Sequence, residues 1–391
     1  MDIIEAKQRV RTEIDRLSPT LIEVSHSIHE NPELNFEEHH AHDLLSGVLE
    51  DNGLAVERGA YEMPTAFDAR LGSSGATIAV CCEYDALPGI GHGCGHNIIA
   101  AAGLGAGLAA ATVAEALGGS LAILGTPAEE GGGGKEFMIR RGAFADIDAA
   151  MMVHPADHDL TTMHTIAIQT MDVEYIGREA HAAAFPEKGL NALDAAVLGY
   201  NNVAALRQHI LPEERVHGVF TDAGVKPNIV PDRAAAEWYV RSGTSSSLQP
   251  LKERVLACLE AGALAAGCQM SQKWIDPAFD DMVDNHPLLD LYVRNAVDVG
   301  RHPQPEAEGK MVVGSTDMGN VSYAVPSIHP MVKCAPEGTA IHTRDFATHA
   351  RSEAGDRAII DGALSMALTI VDCWADPDAM VAIRGAFEPN A

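Results

Sequence analysis

Between residues 76 and 153 the chain alternates short apolar runs with helix-like segments, and every run ends in residues able to carry chemistry. Residues 77–80, 121–124 and 149–153 read as strands, with helices expected from Asn97 and over 135–141. Such βαβ alternation calls for an α/β fold, a mostly parallel sheet with helices on both faces. The carboxyl ends of parallel strands share one rim, where sheets of this kind hold ligands. The first strand runs into the Gly/Pro-broken loop 83–97, which carries Glu83, Asp85, His92, Cys94 and His96. The second runs into 125–134 with Glu129 and Glu130, and the third into His154-Pro155.

Cys94-Gly95-His96 sets a thiol and an imidazole on either side of a residue without a side chain, so both can turn toward one ion. A soft sulfur with an imidazole suits zinc better than magnesium or calcium. The N-terminus of the following helix is expected to favour Cys94 as thiolate. A Cys-x-His triplet alone more often packs a turn; here the companions on the same rim decide for a metal site. The pair Glu129-Glu130 can divide its labour, one carboxylate binding metal while its neighbour takes a proton from water. Without that context the pair reads as surface charge.

Residues 1–52 read as two helices around a turn at 29–34. From about residue 163 the texture changes: a strand at 166–176, a helix at 191–209, strands at 216–221 and 234–239, a helix at 251–266 and a strand at 269–274. That order, β-α-β-β-α-β, is the ferredoxin-like split motif, an α+β module set into the chain. The expected organisation is one domain from 1–164 with 283–391, interrupted by a smaller one at 165–282. The return carries a helix at 288–299, the segment Gly314-Ser315-Thr316-Asp317, a strand at 327–329 and a helix at 356–374.

A formal charge of −28 argues against nucleic acid or an anionic membrane as partner. Seven scattered cysteines make no disulfide framework, and the N-terminus has no signal-like pattern, so a cytoplasmic protein is expected. The Ala/Gly run 98–117 reads as a helix wedged against the sheet rather than a membrane span. Gly103-Leu104-Gly105-Ala106-Gly107 lacks the dinucleotide spacing, and Gly131–Gly134 with Lys135 lacks the Ser/Thr of a phosphate loop. A nucleotide-dependent enzyme is therefore disfavoured.

Taken together, Glu83-Tyr84-Asp85-Ala86-Leu87-Pro88, Gly93-Cys94-Gly95-His96-Asn97, Pro127-Ala128-Glu129-Glu130, His154-Pro155, Ala180-His181-Ala182-Ala183, the segment 189–195, Asn228-Ile229-Val230-Pro231-Asp232 and His342-Thr343 resemble the aminoacylase/carboxypeptidase metallopeptidase family (M20). The likeness is to its amidohydrolase branch, with p-aminobenzoyl-glutamate hydrolase and a dipeptidase-like group. It implies hydrolysis of the amide bond of N-acyl or aroyl amino acids or of dipeptides. Two divalent metals, zinc with manganese or cobalt as alternatives, would be held by Cys94, His96, Glu130, His154 and His342. The same likeness makes Glu129 the general base and Asp85 the carboxylate behind the metal ligands, and puts Glu83 beside the site rather than in it. It makes the inserted module a lid through which a homodimer forms, with His181 polarising the scissile carbonyl and Asn228 and Arg241 gripping the substrate carboxylate. A guanidinium suits that last role, since an anionic substrate on so acidic a protein needs a local cation. Asn97 stands where hippurate-type members carry aspartate, which leaves the acyl side open. The rival reading, a binding protein on the same fold without turnover, finds no support in the residues, because each position expected to act holds a competent side chain.

Overall fold

In chain order the first unit opens with helices α1 (Ile3–Glu30) and α2 (His39–Asp51), strands β1 (Val56–Arg58), β2 (Phe67–Leu71) and β3 (Thr77–Glu83), and helix α3 (His96–Leu117). Strand β4 (Ser120–Thr126), helix α4 (Gly134–Arg140) and strands β5 (Ala149–Met151) and β6 (His154–Ala156) follow. A second unit then runs β7 (Ala167–Ile176), α5 (Ala192–Leu206), β8 (Arg215–Asp222), β9 (Arg233–Ser242), α6 (Ser245–Ala266) and β10 (Gln269–Trp274). The chain returns with α7 (His286–Val299), α8 (Met318–Ala324), β11 (Ser327–Ile328), β12 (Met331–Lys333), α9 (Arg344–His349), α10 (Glu353–Ala375) and α11 (Pro377–Gly385). This computed structural model describes residues 1–72, 74–305 and 314–387. The units are Met1–His164 with Met282–Ala391, and Thr165–Asp281.

The sheet of the first unit has the order β1-β2-β4-β3-β5-β11. The β4–β3, β3–β5 and β5–β11 pairs are parallel, and β1 and β2 add an antiparallel edge. Alternation along β3 shows both faces covered: Ile78, Val80 and Cys82 face a core with α1, α3 and α10, while Ala79 and Cys81 face one with Met138 of α4 and Met318 and Val321 of α8. The small residues of α3 are explained by this packing. Every residue from His96 to Ala110 is buried, and a Cβ on Gly103 would lie 2.7 Å from the Cys81 carbonyl oxygen on β3. The helix is a core element of the sheet, as its Ala/Gly composition predicts.

Two sequence expectations need correction. The run 149–153 is not one strand: β5 ends at Met151, and His154 begins β6, which pairs with β12 in a separate parallel ladder. The apolar run continues through Met152 and Val153 because both are buried, not because the ladder continues. No strand is expected between 53 and 76, yet β1 and β2 are there. Val-Glu-Arg suits the edge strand β1, where Glu57 and Arg58 reach water, while β2 lies inside it with Asp68 buried and paired to Arg70 at 2.9 Å.

In the second unit the antiparallel order β10-β7-β9-β8 with two helices is the split βαββαβ arrangement. Its own core gathers Met171, Val173 and Tyr175 of β7, Trp238 and Val240 of β9, and Leu251, Val255 and Leu259 of α6. Helix α6 starts at Ser245, before Pro250, because Thr244 caps it reciprocally with Ser247.

Candidate metal centre

Four connections of the first unit meet at the carboxyl end of β3. The β3–α3 loop brings Asp85 and Cys94, and α3 begins with His96. The β4–α4 turn brings Glu129 and Glu130, β6 brings His154, and the segment before α9 brings His342. Gly95 is left-handed at φ 79°, and a Cβ there would meet Pro155 Cγ at 2.5 Å, so the turn between Cys94 and His96 is built for glycine. The His342 N–H donates to the Gly93 carbonyl oxygen at 2.8 Å, which ties the last segment to the first. Ala128 and His342 both take positive φ, 61° and 63°, so the backbone is strained at two points of the same site.

Cys94 belongs to two donor sets. With His96 and His154 it forms one in which the ligand atoms all lie within 4.8 Å of one another, and with Glu130 and His342 it forms a second of the same tightness. Within them Cys94 Sγ lies 3.4 Å from His154 Nε2, and Glu130 Oε1 lies 3.4 Å from His342 Nε2 and 3.8 Å from His96 Nε2. Asp85 stands behind, its Oδ1 3.1 Å from His96 Nδ1 and its Oδ2 accepting from the Glu130 N–H at 2.8 Å. His154 Nδ1 lies 2.8 Å from its neighbour's carbonyl oxygen on Pro155, which fixes a proton on Nδ1 and leaves Nε2 as a donor for metal.

The electrostatics are those of a site that wants cations. Glu83, Asp85, His96 and Glu129 are buried, and among the described residues Glu83 Oε1, His96 Nε2 and Glu130 Oε1 make no hydrogen bond, facing one another across 3.2 to 3.8 Å instead. Burial, with Glu83 and Glu130 close by, pushes the Glu129 carboxyl well up, and burial also raises Glu130. Burial would lower His96, but the charges of Glu83, Cys94 and Asp85 hold it well above its ordinary value. Burial, aided by His96, takes His154 down to about 3, so it stays a neutral ligand. The α3 N-terminus, expected to help hold Cys94 as thiolate, is outweighed by burial, which pushes the thiol up. A cation is what such a thiol needs in order to ionise. By its chemistry, a soft sulfur beside buried imidazoles and carboxylates suits a borderline or soft cation better than magnesium or calcium.

His181, Asn228 and Arg241 belong to the second unit. His181 bridges to Ile229, its Nδ1 accepts from the Ala184 N–H at 3.1 Å, and the Ala182 N–H donates to the Asn228 carbonyl oxygen at 3.1 Å. Arg241 on β9 pairs in register with Ile168 and Arg215, and its guanidinium lies 6.0 Å from the Tyr239 ring. Of the histidines without an expected role, His329 stacks edge-on to His154 at 5.4 Å, and His92 Nε2 meets the Ile28 carbonyl oxygen at 3.1 Å. Sequence reasoning missed Lys135, Asp317 and Glu38. Lys135 and Asp317 are wholly buried beside Glu83, and Glu38 accepts from the Ala128 N–H at 2.9 Å.

Residues 79–363 match the family model described as peptidase family M20/M25/M40. A Xaa-Arg dipeptidase of Mus musculus is 36% identical, over 98% of this chain and 92% of its own length. One chain of the p-aminobenzoyl-glutamate hydrolase of Escherichia coli is 28% identical, over 90% of this chain and 89% of its own. Among solved structures, a Bacillus subtilis protein described as a dinuclear metal binding peptidase of the M20 family superposes with a TM-score of 0.66 at 19% identity, covering 90% of this chain and 98% of that one.

Proposed function

This chain belongs to peptidase family M20/M25/M40, and from that premise we propose a two-metal centre at which it cleaves its substrate. It is a metal-dependent hydrolase of amide bonds, acting on N-acyl or aroyl amino acids or dipeptides to release a free amino acid. The observation that carries the two-metal reading is the sharing of Cys94 between two tight donor sets. Cys94, His96 and His154 are the proposed ligands of one ion, and Cys94, Glu130 and His342 of the other, with zinc preferred by the donor chemistry over manganese or cobalt.

When bound, the metals supply Lewis-acid charge and a lowered water pKa. Glu129 is the general base: it takes the proton of the attacking water and returns it to the leaving amine. Asp85 orients His96. In the second unit His181 is proposed to stabilise the carbonyl oxygen, and Asn228 and Arg241 to hold the carboxylate of the leaving amino acid; these roles rest on the family likeness. A homodimer is proposed through the same unit. It is supported by β8, an edge strand whose Val219 and Phe220 are exposed. A cytoplasmic setting is proposed, with which the seven free cysteines among the described residues agree.

The test is a hydrolysis panel on metal-loaded protein: p-aminobenzoyl-glutamate, indoleacetyl-aspartate, hippurate, and dipeptides ending in arginine or in neutral residues, scored for liberated amine. Chelator-sensitive release from at least one is expected. No release from any, with two metals bound per chain, would overturn the reading.

A further inference from the structure

We infer that Lys135 is a positioning residue for Glu129, acting through a buried ion triad with Glu83 and Asp317; the inference rests on the assignment of Glu129 as base. The Lys135 ammonium contacts Glu83 Oε2 and Asp317 Oδ1, the latter at 2.7 Å, and the Lys135 backbone N–H donates to Asp317 Oδ2 at 2.8 Å. Side-chain exposure is 0%, 1% and 0% for Lys135, Glu83 and Asp317, so all three charges are out of water. Burial works against the Lys135 charge, but Asp317 and Glu83 hold its pKa well above the ordinary value.

The triad closes a loop. Thr126, the last residue of β4, lies opposite Glu83 in the β3–β4 ladder, and Lys135, at the start of α4, is ion-paired to the same Glu83. Both ends of the segment 127–134 are thus fastened to one residue. Between them stand Glu129 and Glu130, followed by four consecutive glycines with no side chains of their own to hold a conformation. Asp317 adds a third point of attachment, from the residue that precedes α8. The clamp also reaches the metal donors, because Glu83 Oε1 is 3.2 Å from His96 Nε2.

Charge gives the clamp a second effect. The carboxylates acting on Glu129 are Glu83, Glu130 and Asp317, and Lys135 is the resident ammonium among them. Removing it frees the α4 end of the turn and leaves His96 as the remaining positive neighbour of Glu129. A buried ion triad contributes little net stability over apolar packing of the same volume, so stability alone does not account for three charges at this place.

The test compares Lys135→Met, the charge-keeping Lys135→Arg, and the double variant Glu83→Gln/Lys135→Met, which removes the Glu83–Lys135 pair together and leaves Asp317 as the one carboxylate of the triad. Lys135→Met is expected to lower kcat about 100-fold, as a displaced catalytic group does, with KM within about threefold of wild type. Amide hydrogen exchange in the segment 127–134 should quicken about tenfold while β7–β10 stay unchanged. Metal content measured in excess metal should equal that of wild type. Lys135→Arg should recover part of kcat, and the double variant should fold yet remain slow. Wild-type kcat in either Met-containing variant, or unchanged exchange in 127–134, would overturn the inference, as would loss of metal from Lys135→Met with the turn still protected. If wild-type protein hydrolysed no amide, the functional reading would fall, and the exchange measurement would still decide whether the clamp exists.

Discussion

Asp85 Oδ1 lies 3.1 Å from His96 Nδ1, and the partner oxygen of the same carboxylate accepts the Glu130 N–H at 2.8 Å. One buried carboxylate thereby aligns an imidazole from α3 and a glutamate from the β4–α4 turn. Removing it by Asp85→Ala frees the ring and loosens the turn at once. Metal affinity should fall by about 10- to 100-fold, the usual cost of losing such a supporting partner. Competition against a chromophoric chelator measures it, and excess metal should restore part of the hydrolysis. An unchanged affinity would detach Asp85 from the site.

Glu129→Gln and Glu130→Gln separate the two halves of the acidic pair. Glutamine keeps the shape of Glu129 and removes its basicity, so kcat should drop by about 10²- to 10⁴-fold with metal content intact. Glu130→Gln instead weakens a proposed ligand, and there the metal content itself should fall. Metal analysis beside single-turnover kinetics distinguishes them; equal metal loss in both would merge the roles of base and ligand.

What the sequence could reveal follows from how local each signal is. The parallel sheet was legible because apolar runs 77–80 and 121–124 alternate with helical segments, and Cys94, His96, Glu129, Glu130 and His154 follow strand ends in order. His154 illustrates the limit: burial of Met152 and Val153 imitates a strand, while the pairing that changes at Met151 depends on β11 and β12, far along the chain. Lys135 reads in the sequence only as the lysine of a failed phosphate loop. Its partners are 52 and 182 residues away, so no periodicity or spacing could disclose the triad. Glu38 was equally hidden, since the N–H groups it accepts from, on Phe36 and Ala128, come together only once the turn is folded.

Glu38 gives the clearest pH dependence. Burial, reinforced by the charge of Asp85, raises its pKa from 4.5 to about 7. The folded chain therefore holds a proton there that the unfolded chain has released, and stability from this group falls as pH rises from 4.5 through about 7. Glu38→Gln keeps an oxygen for the Phe36 and Ala128 N–H groups without the charge. Urea unfolding at several pH values should show the variant matching wild type below pH 4.5 and exceeding it above about 7, with a flatter slope between. A variant less stable than wild type at about pH 8 would mean that the ionised carboxylate is favourable where it sits.

Gly95 tests whether the metal donors or the chain around them set the geometry. Its φ of 79° costs an L-residue about 1–2 kcal/mol, and a Cβ would also lie 2.5 Å from Pro155 Cγ and 3.2 Å from Phe346 Cε1. The flexible end of a long side chain could yield, but a proline ring and a buried phenylalanine cannot move far in a packed interior. Gly95→Ala must therefore push apart the β3–α3 loop and the β6 segment, which carry Cys94 and His154 with only 3.4 Å between sulfur and nitrogen. The expected result is a lower melting temperature together with a larger loss of affinity at the proposed site of Cys94, His96 and His154 than at the proposed site of Cys94, Glu130 and His342. Metal titration resolving two binding steps checks this, and equal weakening of both steps would show that the strain spreads through the whole centre instead of staying on the side of Pro155.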